Sequence, residues 1–262
     1  MITEISSVAN PRIKNFARLE KAAERRKQGL FVVEGLREVN WCLQAGYAIE
    51  SLYWCPALSG KNVLPELGRV PVFKVPEQVY AKIAYREGTE GLVALVHMAS
   101  HGLKDLPPLK KKFVLVVESI EKPGNLGAIL RTADAAGVDA LIVCDPKTDV
   151  YNPNVIRSGI GSFFTVPIAV AGNEEAMQWM QQQGLQIITA TPEAEKNLFE
   201  MDLKWPLALV FGTEDKGLSP FWRSNSLAQA VRIPMEGSMD SLNVSNSVAV
   251  VLYESLRQNW KA

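Results

Sequence analysis

The chain has 262 residues, of which 47% are hydrophobic and 21% charged, a composition typical of a soluble globular protein with one or two domains. Basic and acidic residues balance at 28 each, so net charge indicates no nucleic-acid partner and only a local patch could bind one. Three scattered cysteines and two histidines show no metal-ligand spacing. No apolar run reaches membrane-spanning length, and the N-terminus lacks the apolar core of a signal peptide. We therefore expect a cytoplasmic protein with reduced thiols that binds neither a metal nor a membrane.

The first hundred residues contain a basic segment and several short strand patterns. Between Arg12 and Lys27, seven basic residues stand against two acidic ones. Such a segment, if helical, can follow a phosphate backbone, but it can equally be a solvated helix face, and both interpretations stay open. Strands are predicted at Val32–Val33, Ile49–Tyr53, Val70–Val75 and Gly91–His97.

The segment Ala99–Lys112, with paired prolines and a lysine run, is the best candidate for a linker. It predicts a first domain at 1–100, a linker at 101–112 and a second domain at 113–262. The second half alternates strand and helix patterns, which is typical of a mostly parallel sheet with helices on both faces. Strands are predicted at Phe113–Glu118, Ala140–Cys144, Thr165–Val170, Gln186–Ala190, Leu207–Phe211 and Ala230–Ile233, and helices at Leu126–Ala136, Asn152–Ser158, Glu174–Gln183, Pro220–Ser226 and Ser245–Trp260.

The segment Pro123–Gly137 follows a buried strand and is the first candidate motif. We predict Asn125 as the N-cap of its helix and Gly137 as the residue that ends it. Arg131 lies off the apolar stripe of this helix. An ordinary strand–helix unit with a solvated arginine explains the segment equally well, and its spacing fits neither a GxGxxG dinucleotide loop nor a Walker loop.

Two further motifs lie downstream. Gly212 stands where the strand Leu207–Phe211 ends, and Glu214 follows it, at the end of a parallel strand where ligands bind in open α/β sheets. A tight turn with a solvated carboxylate is the alternative. In the third motif, the Ser- and Asn-containing loop Ser238–Asn243 leads directly into an apolar helix, and a purely structural interpretation leaves this loop unexplained.

Together the three motifs resemble the SpoU/TrmH class of RNA ribose 2′-O-methyltransferases in the SPOUT superfamily. The matching segments are Asn125–Arg131, Gly212–Gly217, Ile233–Met235 and Ser241–Ser245. The N-terminal part is similar, at Asn10–Lys14 and Phe31–Arg37, to the L30e-like substrate-binding domain that often precedes this class. This two-domain layout resembles the ribosomal-RNA branch more than the tRNA branch.

The resemblance implies an α/β fold in which the C-terminal parallel-sheet domain forms a deep trefoil knot and follows a smaller α/β L30e-like domain. It also implies S-adenosylmethionine as cofactor and a homodimer formed through the C-terminal domain. Carried over by motif position, the functional polar residues are Asn125, Arg131, Glu214 and Asn243, and the cofactor-binding residues are Thr191, Gly212, Ile233, Met235 and Leu242. The residues expected to contact RNA are Arg12, Lys14, Arg25, Arg26, Lys27 and Arg37.

The resemblance therefore predicts S-adenosylmethionine-dependent 2′-O-methylation of a ribose, most simply in ribosomal RNA. A tRNA ribose methyltransferase and a non-catalytic RNA-binding protein of the same fold are the alternatives. An arginine, whose pKa exceeds about 12, is a poor proton acceptor, so we expect Arg131 to clamp a phosphate or stabilise an oxyanion. In a dimer, this arginine could serve its own site or that of the partner subunit.

Overall fold

The computed structural model describes residues 2–60, 64–65, 68–85 and 90–260. Contacts divide the chain into two compact units. Unit 1 comprises Met1–Ala99 and Tyr151–Thr165, and unit 2 comprises Ser100–Val150 and Val166–Ala262. The observed division differs from the predicted domains at two places. Tyr151–Thr165 clusters with unit 1 although it lies inside the range 113–262, and the predicted linker 101–112 belongs to unit 2.

The elements alternate along the chain. The strands are β1 (Ile2–Glu4), β2 (Leu30–Glu34), β3 (Ile49–Trp54), β4 (Val72–Lys74), β5 (Leu92–His97), β6 (Phe113–Glu118), β7 (Ala140–Cys144), β8 (Ile168–Ala171), β9 (Gln186–Ala190), β10 (Leu207–Phe211) and β11 (Ala228–Val231). The helices are α1 (Pro11–Leu19), α2 (Ala22–Gln28), α3 (Leu36–Gln44), α4 (Pro56–Ser59), α5 (Glu77–Tyr80), α6 (Pro123–Ala136), α7 (Pro153–Gly159), α8 (Ser162–Thr165), α9 (Asn173–Gln182), α10 (Pro220–Arg223) and α11 (Val244–Asn259).

Unit 1 is built on a five-stranded mixed sheet in the order β1-β4-β3-β5-β2. The strands β1, β4 and β3 run parallel, whereas β5 is antiparallel to both β3 and β2. The four strands predicted for this half are confirmed. β1 was not predicted because its three residues are all exposed, so burial imposes no apolar pattern on them.

Aromatic packing explains why the segment Tyr151–Thr165 belongs to unit 1. The ring of Phe31, on β2, lies 4.6 Å from that of Tyr151 and 6.1 Å from that of Phe163, measured between centroids. All three side chains are buried. Burying rings of this size contributes strongly to a core, so α7 packs against β2 and α8 packs against α3, both within unit 1.

Unit 2 contains a six-stranded parallel sheet in the order β11-β9-β10-β6-β7-β8, which confirms the predicted parallel sheet. Every residue of β6, β7 and β10 is buried, as in a sheet covered on both faces. Four strands, β6, β7, β9 and β10, have the predicted bounds. β8 begins later than predicted because Thr165 ends α8, and β11 lies two residues earlier than predicted.

The helix α6 begins at Pro123, so the prediction of Asn125 as its N-cap is wrong. Lys122 occupies the N-cap position, and Pro123 takes the first helical position, where its fixed φ suits a helix and its missing N–H costs nothing. Asn125 therefore lies in the first turn with its side chain available for another contact. Gly137 ends the helix with a φ of +67°, as predicted.

Part of the predicted linker is packed into unit 2. The backbone N–H of Val170, on β8, donates to the carbonyl of His101 at 2.6 Å, and Leu103 is buried in the core cluster of the large sheet. Among the described residues, no helix has the length and apolar character needed to cross a membrane.

Candidate active site

The site lies in unit 2, where three neighbouring parallel strands end. Thr191 directly follows β9, Gly212 directly follows β10, and Ile233 comes two residues after β11. Because the sheet order places β9 between β11 and β10, these residues meet at one edge although they are far apart in sequence. This edge, outside the carboxyl ends of the strands, is where open α/β sheets bind ligands.

A cavity of about 230 Å³ opens at this edge. Its wall combines apolar side chains with carboxylates and hydroxyls, a mixture suited to a ligand that is partly aromatic and partly polar. Among the residues that line it are the five predicted cofactor-binding residues, Thr191, Gly212, Ile233, Met235 and Leu242. Glu214 also lines it, together with Asp240 and Ser241 of the loop Ser238–Asn243 and with Glu193, which the sequence did not single out.

Gly212 is required by a close approach of its own loop. The N–H of Thr213 donates to the carbonyl of Gly217 at 2.9 Å, and the N–H of Gly217 donates back at 3.2 Å. A Cβ added to Gly212 would lie 2.1 Å from the carbonyl carbon of Gly217 and 2.3 Å from the backbone nitrogen of Leu218. No other residue fits without moving this backbone, so the glycine lets the loop fold back and present Glu214 to the cavity.

A chain of side-chain hydrogen bonds joins the three motifs. Nδ2 of Asn125 donates to Oε1 of Glu214 through a short contact, and Nδ2 of Asn243 donates to Oδ1 of Asn125 at 3.4 Å. Oδ1 of Asn243 accepts from the backbone N–H of Ser245 at 3.0 Å and so caps α11. These hydrogen bonds fix the Glu214 carboxylate through Oε1, and its Oε2 makes no hydrogen bond among the described residues.

Arg131 is not brought to this cluster within a single chain. It lies six residues beyond Asn125 on α6, about 9 Å along the helix axis and about 120° around it. Its side chain is exposed, does not line the cavity and makes no ion pair with the described part of the chain. Of the four predicted polar residues, the structure therefore groups Asn125, Glu214 and Asn243 and leaves Arg131 facing solvent.

A buried network that the sequence analysis missed supports the loop from behind. The carboxylate of Glu118, at the end of β6, accepts from Nδ2 of Asn173 and from the backbone N–H of Ser219, both at 2.7 Å. Nε1 of Trp222 donates to Oδ1 of Asn173, also at 2.7 Å. Ser219 comes two residues after Gly217, so the network anchors the far end of the Gly212–Gly217 loop. The sequence signal for this network was Glu118 itself, a carboxylate at the end of an otherwise apolar strand.

Glu193 provides an ionised group on the cavity wall. The Thr191 hydroxyl donates to its carboxylate, and this hydrogen bond holds the pKa of Glu193 below its usual value of 4.5. The group is therefore a carboxylate at neutral pH, and its remaining acceptor capacity suits the hydroxyls of a sugar.

The residues expected to contact RNA lie in unit 1, and five of the six are exposed: Arg12, Lys14, Arg26, Lys27 and Arg37. Arg25 is buried, and its Nη1 donates to the carbonyls of Leu19 and Glu20 at 2.8 Å each. These are carbonyls at the end of α1, so Arg25 satisfies them where the basic segment breaks into two helices. We therefore remove Arg25 from the expected RNA surface.

The three cysteines are buried as free thiols, and burial raises the pKa of Cys42 to about 12. In the described ranges, no group of three or more His, Cys, Asp or Glu residues could hold a metal ion.

Comparison with known proteins agrees with this geometry. Residues 112–253 match the SpoU rRNA Methylase family, and residues 10–94 match the MRM3-like substrate binding domain. An uncharacterized tRNA/rRNA methyltransferase of Synechocystis sp. is 33% identical over 266 residues, which cover 100% of this chain and 96% of that protein. A 23S rRNA (uridine(2479)-2′-O)-methyltransferase of Streptomyces viridochromogenes is 30% identical over 90% of this chain and 85% of its own length. The crystal structure of an AdoMet-bound rRNA methyltransferase from Sinorhizobium meliloti has a TM-score of 0.89 at 28% identity and covers 99% of each chain.

Proposed function

This chain belongs to the SpoU rRNA methylase family, and from that premise we propose that it transfers the methyl group of S-adenosylmethionine to a ribose 2′-hydroxyl of ribosomal RNA. The observation that carries the proposal is the Asn243–Asn125–Glu214 chain beside the cavity at the ends of β9, β10 and β11. The relative from Streptomyces viridochromogenes that is named for 2′-O-methylation of 23S rRNA favours ribosomal RNA over tRNA.

The cavity residues fit the cofactor. The backbone at Gly212, Ile233 and Leu242 offers hydrogen-bonding groups at the cavity wall, and apolar side chains such as Val244 offer contact to an aromatic ring. The Glu193 carboxylate suits ribose hydroxyls. When bound, S-adenosylmethionine supplies an electrophilic methyl group on a positively charged sulfur.

The polar residues of this chain prepare the acceptor. A ribose hydroxyl is a weak nucleophile at neutral pH and must be oriented or activated. Asn125 occupies Oε1 of Glu214, so Oε2 is the atom that can accept a hydrogen bond from the 2′-hydroxyl. Arg131 clamps a substrate phosphate through its guanidinium, and its exposed position suits a site on the partner subunit of a homodimer.

Four features stay part of this proposal. They are the homodimer through the C-terminal domain, the deep trefoil knot in that domain, the L30e-like fold of the N-terminal domain and the cytoplasmic location. The resemblance of the three motifs to the SpoU/TrmH class supports the first two, and the match of residues 10–94 to the MRM3-like substrate binding domain supports the third.

Methyl transfer is tested by incubating the protein with S-adenosylmethionine labelled in the methyl group and with ribosomal RNA or tRNA in separate reactions. We expect label in alkali-resistant dinucleotides from ribosomal RNA, because a 2′-O-methyl group blocks alkaline cleavage. Cofactor binding without labelled RNA of either kind would reject the catalytic proposal and favour a non-catalytic RNA-binding protein.

The role of Arg131 is tested by mixing two inactive variants, Arg131→Ala and Asn125→Ala, under conditions that exchange subunits. If Arg131 serves the partner's site, the mixed dimer contains one site with both residues intact and regains activity. If it serves its own site, every site lacks one residue and the mixture stays inactive. Activity in Arg131→Ala alone would contradict any role for this side chain.

A further inference from the structure

The unit 1 surface around α3 carries a second set of groups that the methyl-transfer site does not use. Arg37, Trp41 and Gln44 follow one another at i, i+4 and i+7, so they share one exposed face of α3. Trp41 keeps 40% of its surface exposed while its indole lies against Gly161. A large aromatic side chain that is held on one side and open on the other is a platform for a flat ligand.

A second exposed aromatic residue lies on the same unit. The ring of Tyr85 is 44% exposed, and the guanidinium carbon of Arg157 lies 5.7 Å from its centroid. Arg157 lines a cavity of about 100 Å³, and a neighbouring cavity of about 320 Å³ is lined by Trp41. Arg37 and Glu90 line both cavities, so the surface beside Trp41 continues to Arg157, whose guanidinium contacts the Tyr85 ring.

The charges on this surface exclude a simple phosphate site. Three carboxylates, those of Glu34, Glu38 and Glu90, line the smaller cavity with the guanidinium groups of two arginines. One of these, Arg37, is already paired with Glu38 at 2.7 Å, so the cavity keeps an excess of negative charge. At Gly35, whose φ is +100°, an added Cβ would lie 2.7 Å from a Glu38 oxygen and 3.5 Å from a Glu90 oxygen, so two carboxylates converge there. Converging acceptors repel phosphate and attract a ligand edge that carries N–H donors.

Glu90 has an oxygen available for such a donor. Its Oε2 accepts from the backbone N–H of Leu36 at 2.6 Å, which fixes the carboxylate, and Oε1 makes no hydrogen bond among the described residues. Aromatic faces, carboxylate acceptors and nearby guanidinium groups together match unpaired bases of single-stranded RNA, which stack on aromatic side chains and expose N–H donors on their Watson–Crick edges. Guanine places two adjacent donors on that edge, whereas uracil places one between two acceptors.

We propose that Trp41, Tyr85 and Glu90 form a binding site on unit 1 for unpaired bases of single-stranded RNA, with a preference for guanine. Trp41 and Tyr85 provide the stacking faces, and Glu90 accepts from the guanine edge. The inference rests on the proposed RNA substrate and deepens it, because it assigns recognition of unpaired bases to a surface separate from the basic residues of α1 and α2.

The test measures binding of the full chain to two short fluorescent RNAs, one of uridines only and one with a single guanosine among uridines. Trp41→Ala should weaken binding to both about tenfold or more, since stacking is insensitive to sequence. Trp41→Phe, which keeps an aromatic face, should retain most of the affinity. Glu90→Gln should remove the preference for the guanosine RNA, and Glu77→Gln, an exposed carboxylate outside both cavities, should leave it unchanged.

Unchanged affinity in Trp41→Ala, or an unchanged guanosine preference in Glu90→Gln, would overturn the inference. Equal unfolding midpoints of variant and parent establish that a loss of binding is not a loss of folding. The two proposals fail separately. If the parent binds these RNAs through Trp41 but transfers no methyl group, the base site stands and the methyl-transfer function falls. If methyl transfer proceeds while Trp41→Ala binds these RNAs normally, the methyl-transfer function stands and the base site falls.

Discussion

At the scale of single residues, the buried Glu118 makes the sharpest prediction. Its side chain is 3% exposed, and its two oxygens accept from Asn173 and Ser219 at 2.7 Å each. In Glu118→Gln one of these oxygens becomes an NH₂ group that faces another donor. We expect the free energy of unfolding, measured in urea, to fall by about 1–3 kcal/mol, the cost of an unsatisfied buried polar group.

A neighbouring carboxylate provides the control for this variant. Glu121 is exposed and pairs with Lys147 on the surface, where ion pairs contribute about 0–1 kcal/mol. Glu121→Gln should therefore change stability by no more than about 0.5 kcal/mol. Equal losses in the two variants would mean that the network around Glu118 adds nothing to stability.

Residue type singled out some positions and could not separate others. Gly212 and Glu214 stood out because they follow a buried strand, although a tight turn with a solvated carboxylate stayed the alternative; the structure gives the backbone approach that requires Gly212, and the role of Glu214 stays a prediction. Arg25 could not be separated from Arg26 and Lys27, because adjacent basic residues look alike in sequence. Only the break between α1 and α2 decides which of them turns inward to satisfy the carbonyls of Leu19 and Glu20.

At the scale of elements, the Gly212–Gly217 loop depends on its first glycine. In Gly212→Ala the new Cβ meets backbone atoms of Gly217 and Leu218 within 2.3 Å, so the loop must move away from the cavity. We expect cofactor affinity, measured by calorimetry, to fall at least about tenfold, which corresponds to about 1.4 kcal/mol.

Gly124→Ala is the matched control, because a Cβ at that helical position meets nothing within 4 Å. Alanine is favoured over glycine inside a helix by about 1 kcal/mol, so this variant should bind the cofactor normally and unfold no more easily. Normal cofactor binding by Gly212→Ala would show that the loop tolerates displacement.

His101, in the segment before β6, should make the stability of the folded protein depend on pH. Burial lowers the pKa of His101 below its usual value of 6.5, although the carbonyl of Ile168 opposes this shift. The unfolded chain then binds a proton more readily than the folded one, so the stabilising effect is complete above about pH 6.5 and is lost as pH falls below it. We expect the urea midpoint to fall less steeply in His101→Gln than in the parent between about pH 7.5 and 5.5. Equal slopes would contradict this assignment.

Elements themselves were predictable where burial imposes a pattern. The wholly buried strands β6, β7 and β10 were placed to the residue because each is a continuous run of apolar side chains, apart from Glu118 at the end of β6. The exposed β1 and the single-turn helix α8 carry no such pattern and were missed. Pro123 also shifted the start of α6 against the prediction, because the fixed φ of proline set the helix start and left Asn125 to reach Glu214.

At the scale of the whole molecule, the order of strands creates the site. The neighbours β11, β9 and β10 are not consecutive in sequence, so periodicity cannot show that Ile233, Thr191 and Gly212 share one edge. The family resemblance supplied that expectation, and the parallel register of the three strands explains it physically. The attachment of Tyr151–Thr165 to unit 1 was equally non-local, since it depends on rings that meet only after folding.

The balanced charge of the whole chain means that any attraction to RNA must come from a local surface, and the exposed part of the basic segment is the candidate. Lys14, Arg26 and Lys27 are exposed, whereas Arg18 is paired with Glu24 at 2.6 Å and Arg25 is buried.

Each phosphate contact releases counterions, so its loss lowers the slope of log affinity against log salt by about 0.7–0.9. Replacing these three residues with Gln should reduce the measured slope by about 2–3 and weaken RNA binding at low salt. Arg18→Gln is the control and should leave the slope nearly unchanged, because its charge is already paired with Glu24. An unchanged slope in the triple variant would show that α1 and α2 present a solvated face that RNA does not touch.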